Sequence, residues 1–225
     1  MNAATVVINA AGCGSRLGMK IPKSLVEVAG RPILEWQLLE LCPSVETVRI
    51  VVGYMREQVT ELARRLRPSI EVIVNEQWKV TKTAASLSLG MAGVTGRCVS
   101  LDGDLLVHPV DFQRVVSANH DVIGVTDSIS SQPVFAVLDE AQACTAMSYS
   151  SISPFEWTGL VNFDPRRVAA AQNNVFEMIE CLLPVPAVCV RCCEIDTPAD
   201  FLKATQVWPK YVNTQERKHA SRYAG

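Results

Sequence analysis

The chain offers little to a nucleic acid, a membrane or a disulfide framework. Its 21 Lys and Arg stand against 23 Asp and Glu, a net charge of −2. Without a basic excess there is no polyanion-binding surface, and no nucleic-acid partner is expected. No apolar run reaches the roughly 18 residues of a membrane span. Met1–Ala11 is apolar but has no basic flank and runs straight into glycines, so it reads as a buried strand, not a leader. A cytoplasmic protein with no membrane attachment is the expectation. Histidine is scarce (His108, His120 and His219, none paired), and the eight cysteines, at 13, 42, 98, 144, 181, 189, 192 and 193, offer only Cys189-x-x-Cys192-Cys193 as a metal motif. Zinc wants a second pair of ligands. Reduced thiols filling the core are the better reading. Repeats, low-complexity tracts and interdomain linkers are also missing, which leaves one domain over residues 1–208 and a polar peripheral tail over 209–225.

With 48% hydrophobic residues, the chain can bury a continuous core. Strands are expected at Thr5–Ala10, Val48–Val52, Ile70–Val74, Val99–Leu101 and Asp121–Val125. Helices are expected between them at Ile33–Leu41, Met55–Leu66, Ala84–Ala92 and Phe112–Ser117. Such alternation implies βαβ units and a mainly parallel sheet. From Pro133 the pattern changes to shorter strands at Val134–Leu138, Thr145–Ser151 and Trp157–Phe163. Helices near Pro165–Gln172 and Val175–Leu183, a strand at Ala187–Ile195 and a last helix from Pro198 follow. The fold class is α/β: a Rossmann-like three-layer α/β/α arrangement around a mainly parallel mixed sheet.

The richest segment is the loop after the first strand, Ala10-Ala11-Gly12-Cys13-Gly14-Ser15-Arg16-Leu17-Gly18, followed by Pro22-Lys23. Gly12 and Gly14 let the backbone turn tightly, exposed N–H groups can cradle phosphate, and Arg16 and Lys23 add cationic donors. Two known phosphate loops fail on spacing. A dinucleotide fingerprint needs glycine where Leu17 stands, and the Walker string G-x-x-x-x-G-K-[S/T] is absent. Lys20 is an additional cation with a plain surface reading beside it.

G-x-G-S-R-L followed by P-K-S-L-V-E-V-A-G-R-P-I-L resembles the N-terminal signature of the sugar-nucleotide and cytidylyl transferase superfamily. The resemblance implies a nucleotidyltransferase with a nucleotide-diphospho-sugar transferase-like fold. It implies that Arg16 and Lys23 are catalytic, contacting the triphosphate and stabilising charge at the α-phosphate. Ala10, Ala11, Gly12, Gly14, Ser15, Thr83, Ser86 and Asp102 would join them around the nucleotide. Asp102-Gly103-Asp104 ends a strand, where open α/β sheets place ligands, and a hard cation takes one or two such carboxylates. Taken alone, D-x-D is equally a solvated acidic turn, and Asp196, ahead of Pro198, is equally a helix N-cap. The resemblance assigns both Asp104 and Asp196 to a catalytic Mg²⁺.

Gly53-Tyr54-x-x-Glu57-Gln58, Asn75-x-x-Trp78, Ser86-Leu87 and Trp157-Thr158-Gly159-Leu160-Val161 are similar to the phosphocholine cytidylyltransferase branch. Lys82-Thr83 departs from that branch's paired asparagines. CTP as donor and a small phosphorylated acceptor follow, phosphocholine-like or an aminoalkyl phosphonate, with pyrophosphate released. Trp78, Lys82 and Trp157 are the acceptor-side candidates, the two tryptophans being equally core aromatics. A homodimer is compatible with this reading. The alternatives are a sugar-1-phosphate nucleotidyltransferase, a molybdopterin-type enzyme using GTP, and a nucleotide-binding regulatory subunit without chemistry.

Overall fold

The computed structural model describes residues 4–128, 130 and 132–220, with side chains as far as Val212. The side chain of His219 and the tail residues 221–225 lie outside the described residues. In chain order the elements begin with β1 (Thr5–Ala10), the short pair β2 (Glu27–Val28) and β3 (Arg31–Pro32), and α1 (Ile33–Trp36). There follow β4 (Thr47–Val52), α2 (Arg56–Leu66), β5 (Glu71–Val74), α3 (Thr83–Met91), β6 (Cys98–Asp102), β7 (Leu105–Val107), α4 (Pro109–Val116) and β8 (Val122–Asp127). The chain finishes with β9 (Phe135–Leu138), β10 (Ala143–Ser148), β11 (Phe155–Phe163), α5 (Val175–Ile179), β12 (Val185–Cys189), β13 (Cys192–Glu194) and α6 (Pro198–Ala220).

Nine strands form one sheet in the order β5-β4-β1-β6-β11-β8-β12-β10-β9. Its first four strands are parallel, as the βαβ pattern requires. β11 then enters antiparallel between β6 and β8, and β12 pairs parallel with β8. The period-2 geometry of a strand sends alternate side chains to opposite faces. Val6 and Ile8 of β1 accordingly join one core with Leu34, Val59 and Phe112, whereas Val7 joins the other with Leu87, Ile123 and Phe163. Helices α1, α2 and α4 cover the first face, α3 and α5 the second. This is the mixed three-layer α/β/α class expected.

Two local expectations are corrected. Pro165–Gln172 is no helix beyond a single tight turn at Pro165–Arg167, because the carbonyls of Gln172 and Asn173 accept from the N–H groups of Lys82 and Ala84 at the start of α3. Ala187–Ile195 is two strands, not one. The break falls at Arg191, whose N–H and guanidinium are both held by the Asp111 carboxylate, after which β13 leaves the large sheet to pair with β7. The last helix starts at Pro198, and α6 continues through Pro209 to Ala220. Trp208, 1% exposed, is wedged against Trp36 at 5.8 Å in an edge-to-face contact. These two rings, with Leu17, Val26, Val28 and Ile195, form a third core directly beneath the glycine loop. Among the described residues no helix is long and apolar enough to cross a membrane.

Candidate active site

β1 and β6 lie side by side at the end of the parallel half that borders β11, with Asn9 level with Asp102. Both run out at the same sheet edge, so the glycine loop and the acidic turn open from one place. The turn is stitched to its surroundings: Gly103 N–H donates to Asn9 O (3.0 Å), and Ile195 N–H donates to Asp104 O (3.1 Å). The second bond brings Asp196 beside Asp104 although 92 positions separate them.

Two tight turns bring the cations in. Gly14 has φ +58°, a left-handed conformation costly for other residues, and a Cβ there would stand 2.6 Å from Lys23 Cγ. The loop can therefore fold flat over the Lys23 stem. Lys23 Nζ then donates to Asp104 Oδ2 at 2.6 Å and also to Asp196 Oδ1, while Arg16 Nη2 reaches Asp196 Oδ2 at 2.7 Å. Burial alone would lower the Lys23 pKa, but the charges of Asp104 and Asp196 win and raise it, so the ammonium stays charged.

Asp104, Glu194 and Asp196 present carboxylate oxygens within 4.8 Å of one another. Three hard oxygen donors this close suit Mg²⁺ better than any softer metal, and the ammonium of Lys23 already lies against two of them. Desolvation, then the charge of Asp104, pushes Asp102 up to about 7. Glu194 is raised well above the usual carboxylate range by desolvation and by Asp104, Asp196 and Asp102. Such crowding is what a divalent cation would relieve.

The Asp196 N-cap alternative is overturned. Thr197 caps α6 instead, in a reciprocal arrangement with Asp200: Thr197 N–H donates to Asp200 Oδ2 at 2.8 Å, and Asp200 N–H to Thr197 Oγ1 at 3.3 Å. Asp196 is thereby free for the cleft.

Two adjoining cavities, each of about 200 Å³, share Arg16, Thr83, Asp102, Glu194 and Asp196. Ala10, Gly12, Gly14 and Lys23 line the first, together with Ser24, whose hydroxyl is buried without a partner. The second is walled by Tyr149, Trp157 and Phe176, with Asn174 and Asp200. Tyr149 meets Phe176 edge-on at 5.2 Å, and Trp157 lies 6.4 Å from the same ring. Gly159, at φ +80°, interrupts β11 between them; a Cβ there would sit 2.5 Å from Asp102 Oδ2.

Arg16, Lys23, Asp102, Asp104 and Asp196 thus meet, with Ala10, Gly12, Gly14, Thr83 and Trp157 around them. Ala11 is turned into the second core, and its carbonyl accepts from Tyr54 N–H; Ser15 is exposed. Ser86 is brought to neither cavity. It is buried on α3, accepting from Asn75 Nδ2 at 3.1 Å. Trp78 braces the back of the glycine loop against Tyr54 (5.4 Å) and Gly53, away from both cavities. Lys82 is exposed ahead of α3, and Lys20 is exposed too. Sequence reasoning missed Asn9, Ser24 and Glu194. Of these only Glu194 carried a signal, two places before Asp196.

The chain is similar to known proteins. Over 118 residues, half of the chain, it is 37% identical to the CMP-5'-(3-aminopropyl)phosphonate synthase of Streptomyces rubellomurinus, and that match covers 19% of the relative. It is 28% identical over 124 residues to the bifunctional protein GlmU of Campylobacter curvus, covering 54% of this chain and 28% of that one. The chain therefore spans between a fifth and a third of these relatives' length. The solved CTP:phosphocholine cytidylyltransferase from Streptococcus pneumoniae has the same fold, with a TM-score of 0.76 at 18% identity over 92% of this chain and 99% of that one. Residues 6–151, which hold the glycine loop and the acidic turn, match the family model directly: the chain belongs to the MobA-like NTP transferase domain family.

Proposed function

We propose that the chain is a Mg²⁺-dependent cytidylyltransferase that moves CMP from CTP to a small phosphorylated or phosphonate acceptor carrying a positive amine. The observation that carries the reading is the meeting of Arg16 and Lys23 with Asp104 and Asp196 at the joint wall of two cavities. The first cavity takes the triphosphate, with loop N–H groups, the Ser24 hydroxyl and the two cations as its donors. The second takes the acceptor. Its aromatic wall and the carboxylates of Glu194 and Asp200 favour an ammonium group.

An oxygen of the acceptor's phosphate or phosphonate attacks the α-phosphorus. The new P–O bond forms as the bond to the β-phosphate oxygen breaks, and that electron pair leaves with pyrophosphate. The nucleophile is already ionised at neutral pH, so no general base is required, and positioning with charge neutralisation supplies the rate. Lys23 and Arg16 neutralise charge on the triphosphate. Asp104 and Asp196, with Glu194 beside them, would hold the Mg²⁺, which supplies Lewis-acid stabilisation of the phosphate oxygens when bound.

The choice of CTP is supported by the aminopropylphosphonate relative and the phosphocholine cytidylyltransferase fold neighbour, both named for cytidylyl chemistry. The GlmU relatives favour a second reading, a nucleotidyltransferase acting on a sugar 1-phosphate. Pyrophosphate release measured with each of the four NTPs against aminoethylphosphonate, phosphocholine and glucose 1-phosphate separates the two. Turnover confined to CTP with an amine-bearing acceptor is expected. Turnover with UTP and glucose 1-phosphate would replace the reading with the sugar one.

A further inference from the structure

We propose that Gln37 is the positioning residue of the reaction, holding the acidic turn at the geometry the metal and the triphosphate need. This rests on the function proposed above. Gln37 follows α1 at the point where the helix widens: Cys42 N–H bonds back five residues to Gln37 O (3.1 Å), a π-type turn of the kind often found at functional sites. Its side chain is 0% exposed. Both amide protons are committed, Nε2 donating to Asp102 O at 2.8 Å and to Leu105 O at 2.9 Å. Those two carbonyls bracket Gly103-Asp104, so one side chain clamps both ends of the loop that carries the Asp104 carboxylate.

Packing alone does not explain the residue. Its Oε1 is buried without a partner, a cost that leucine or methionine of similar volume would not carry. Gln37 is kept for its two donors, and among the described residues their acceptors are the ends of the acidic turn. The other ties on the turn's backbone, Gly103 N–H to Asn9 O and Ile195 N–H to Asp104 O, are backbone bonds that any sequence could supply. Lys23 and Asn9 hold the carboxylates of Asp104 and Asp102; Gln37 is the side chain that, among the described residues, holds the turn's own carbonyls.

The test compares Gln37→Met and Gln37→Glu with Leu38→Ala, a truncation at the next buried position of the same segment. Gln37→Met removes both donors at nearly constant volume; Gln37→Glu retains one at most. Mn²⁺ alone is the probe, its dissociation constant read by electron paramagnetic resonance, with melting temperature, kcat and KM for CTP measured beside it. We expect the Mn²⁺ dissociation constant to rise at least tenfold in Gln37→Met and less in Gln37→Glu. In Gln37→Met, kcat should fall at least thirtyfold while KM for CTP moves less than threefold. Leu38→Ala should lose melting temperature with neither change. Equal losses of Mn²⁺ affinity in Gln37→Met and Leu38→Ala, or parent-like affinity in both Gln37 variants, would overturn the proposal. Failure of the underlying reading appears elsewhere, in a parent protein that does not bind Mn²⁺ or binds it unchanged after Asp104→Ala.

Discussion

The two halves of the sheet follow different rules, and the site is built across their boundary. From β5 to β6 every strand is parallel and the crossovers leave little freedom; β4, β1 and β6 are almost entirely buried. From β11 to β9 the neighbours are mostly antiparallel, and β11 and β10 both carry register shifts. The regular half supplies the groups proposed to handle the triphosphate: the glycine loop, Lys23 and Asp104. The irregular half supplies Tyr149, Trp157 and Phe176. On the proposed function, chemistry common to a family sits where crossovers fix geometry, and acceptor choice where loops and bulges can be exchanged without disturbing it.

If that division holds, changes in the two halves should act on different constants. The largest effect belongs to the regular half. Lys23→Ala leaves Asp104 and Asp196 without their shared cation, and kcat should fall by about a thousandfold, read as pyrophosphate release at saturating substrates. Asp196→Asn should lower kcat by roughly a hundredfold while the melting temperature moves by no more than about 2 °C, because Thr197 and Asp200, not Asp196, cap α6. A large melting loss with a modest rate loss would return Asp196 to a structural role. In the irregular half, Trp157→Ala should raise KM for the amine-bearing acceptor by about tenfold and leave KM for CTP near its parent value. Equal shifts in both would erase the boundary.

The smallest effect is on stability. Asp102 and Glu194 have raised folded-state pKa values, so between about pH 4 and pH 7 the native state binds more protons than the unfolded one. The stability these two groups contribute is therefore greatest below the unfolded carboxylate range and is lost as pH rises through the Asp102 value of about 7. The melting temperature of metal-free protein should fall between pH 5 and pH 7.5, and added Mg²⁺ should flatten that slope. Thermal melts with and without EDTA check it.

What the sequence makes legible follows contiguity. The first strand, the loop at Gly12 to Arg16, the Pro22-Lys23 step and the Asp102-Gly103-Asp104 turn are local strings whose spacing carries their geometry, and all converge. Asp196 is legible through the resemblance to the transferase superfamily, and the capping of α6 by Thr197 and Asp200 clears it of that role. The rest is hidden because it depends on distant partners. Gln37 looks like one polar residue at the edge of an apolar helix until the acidic turn arrives, 65 positions later, to accept its protons. Asn9 sits unremarked inside a hydrophobic strand, and only the β1–β6 register sets it against Asp102. Trp78 and Trp157 have equal claims by composition, yet one braces a loop and the other walls a cavity. Ser86 follows the same logic, its hydroxyl spent on Asn75.

The bond from Ile195 N–H to Asp104 O ties the middle of the chain to its last thirty-odd residues. A polypeptide cut just ahead of β13 would keep the glycine loop, Lys23 and Asp104 but lose two of the three clustered carboxylates. On the proposed function, such a fragment would keep the loop meant for the triphosphate and lose the carboxylates meant for the metal, so binding and turnover would come apart.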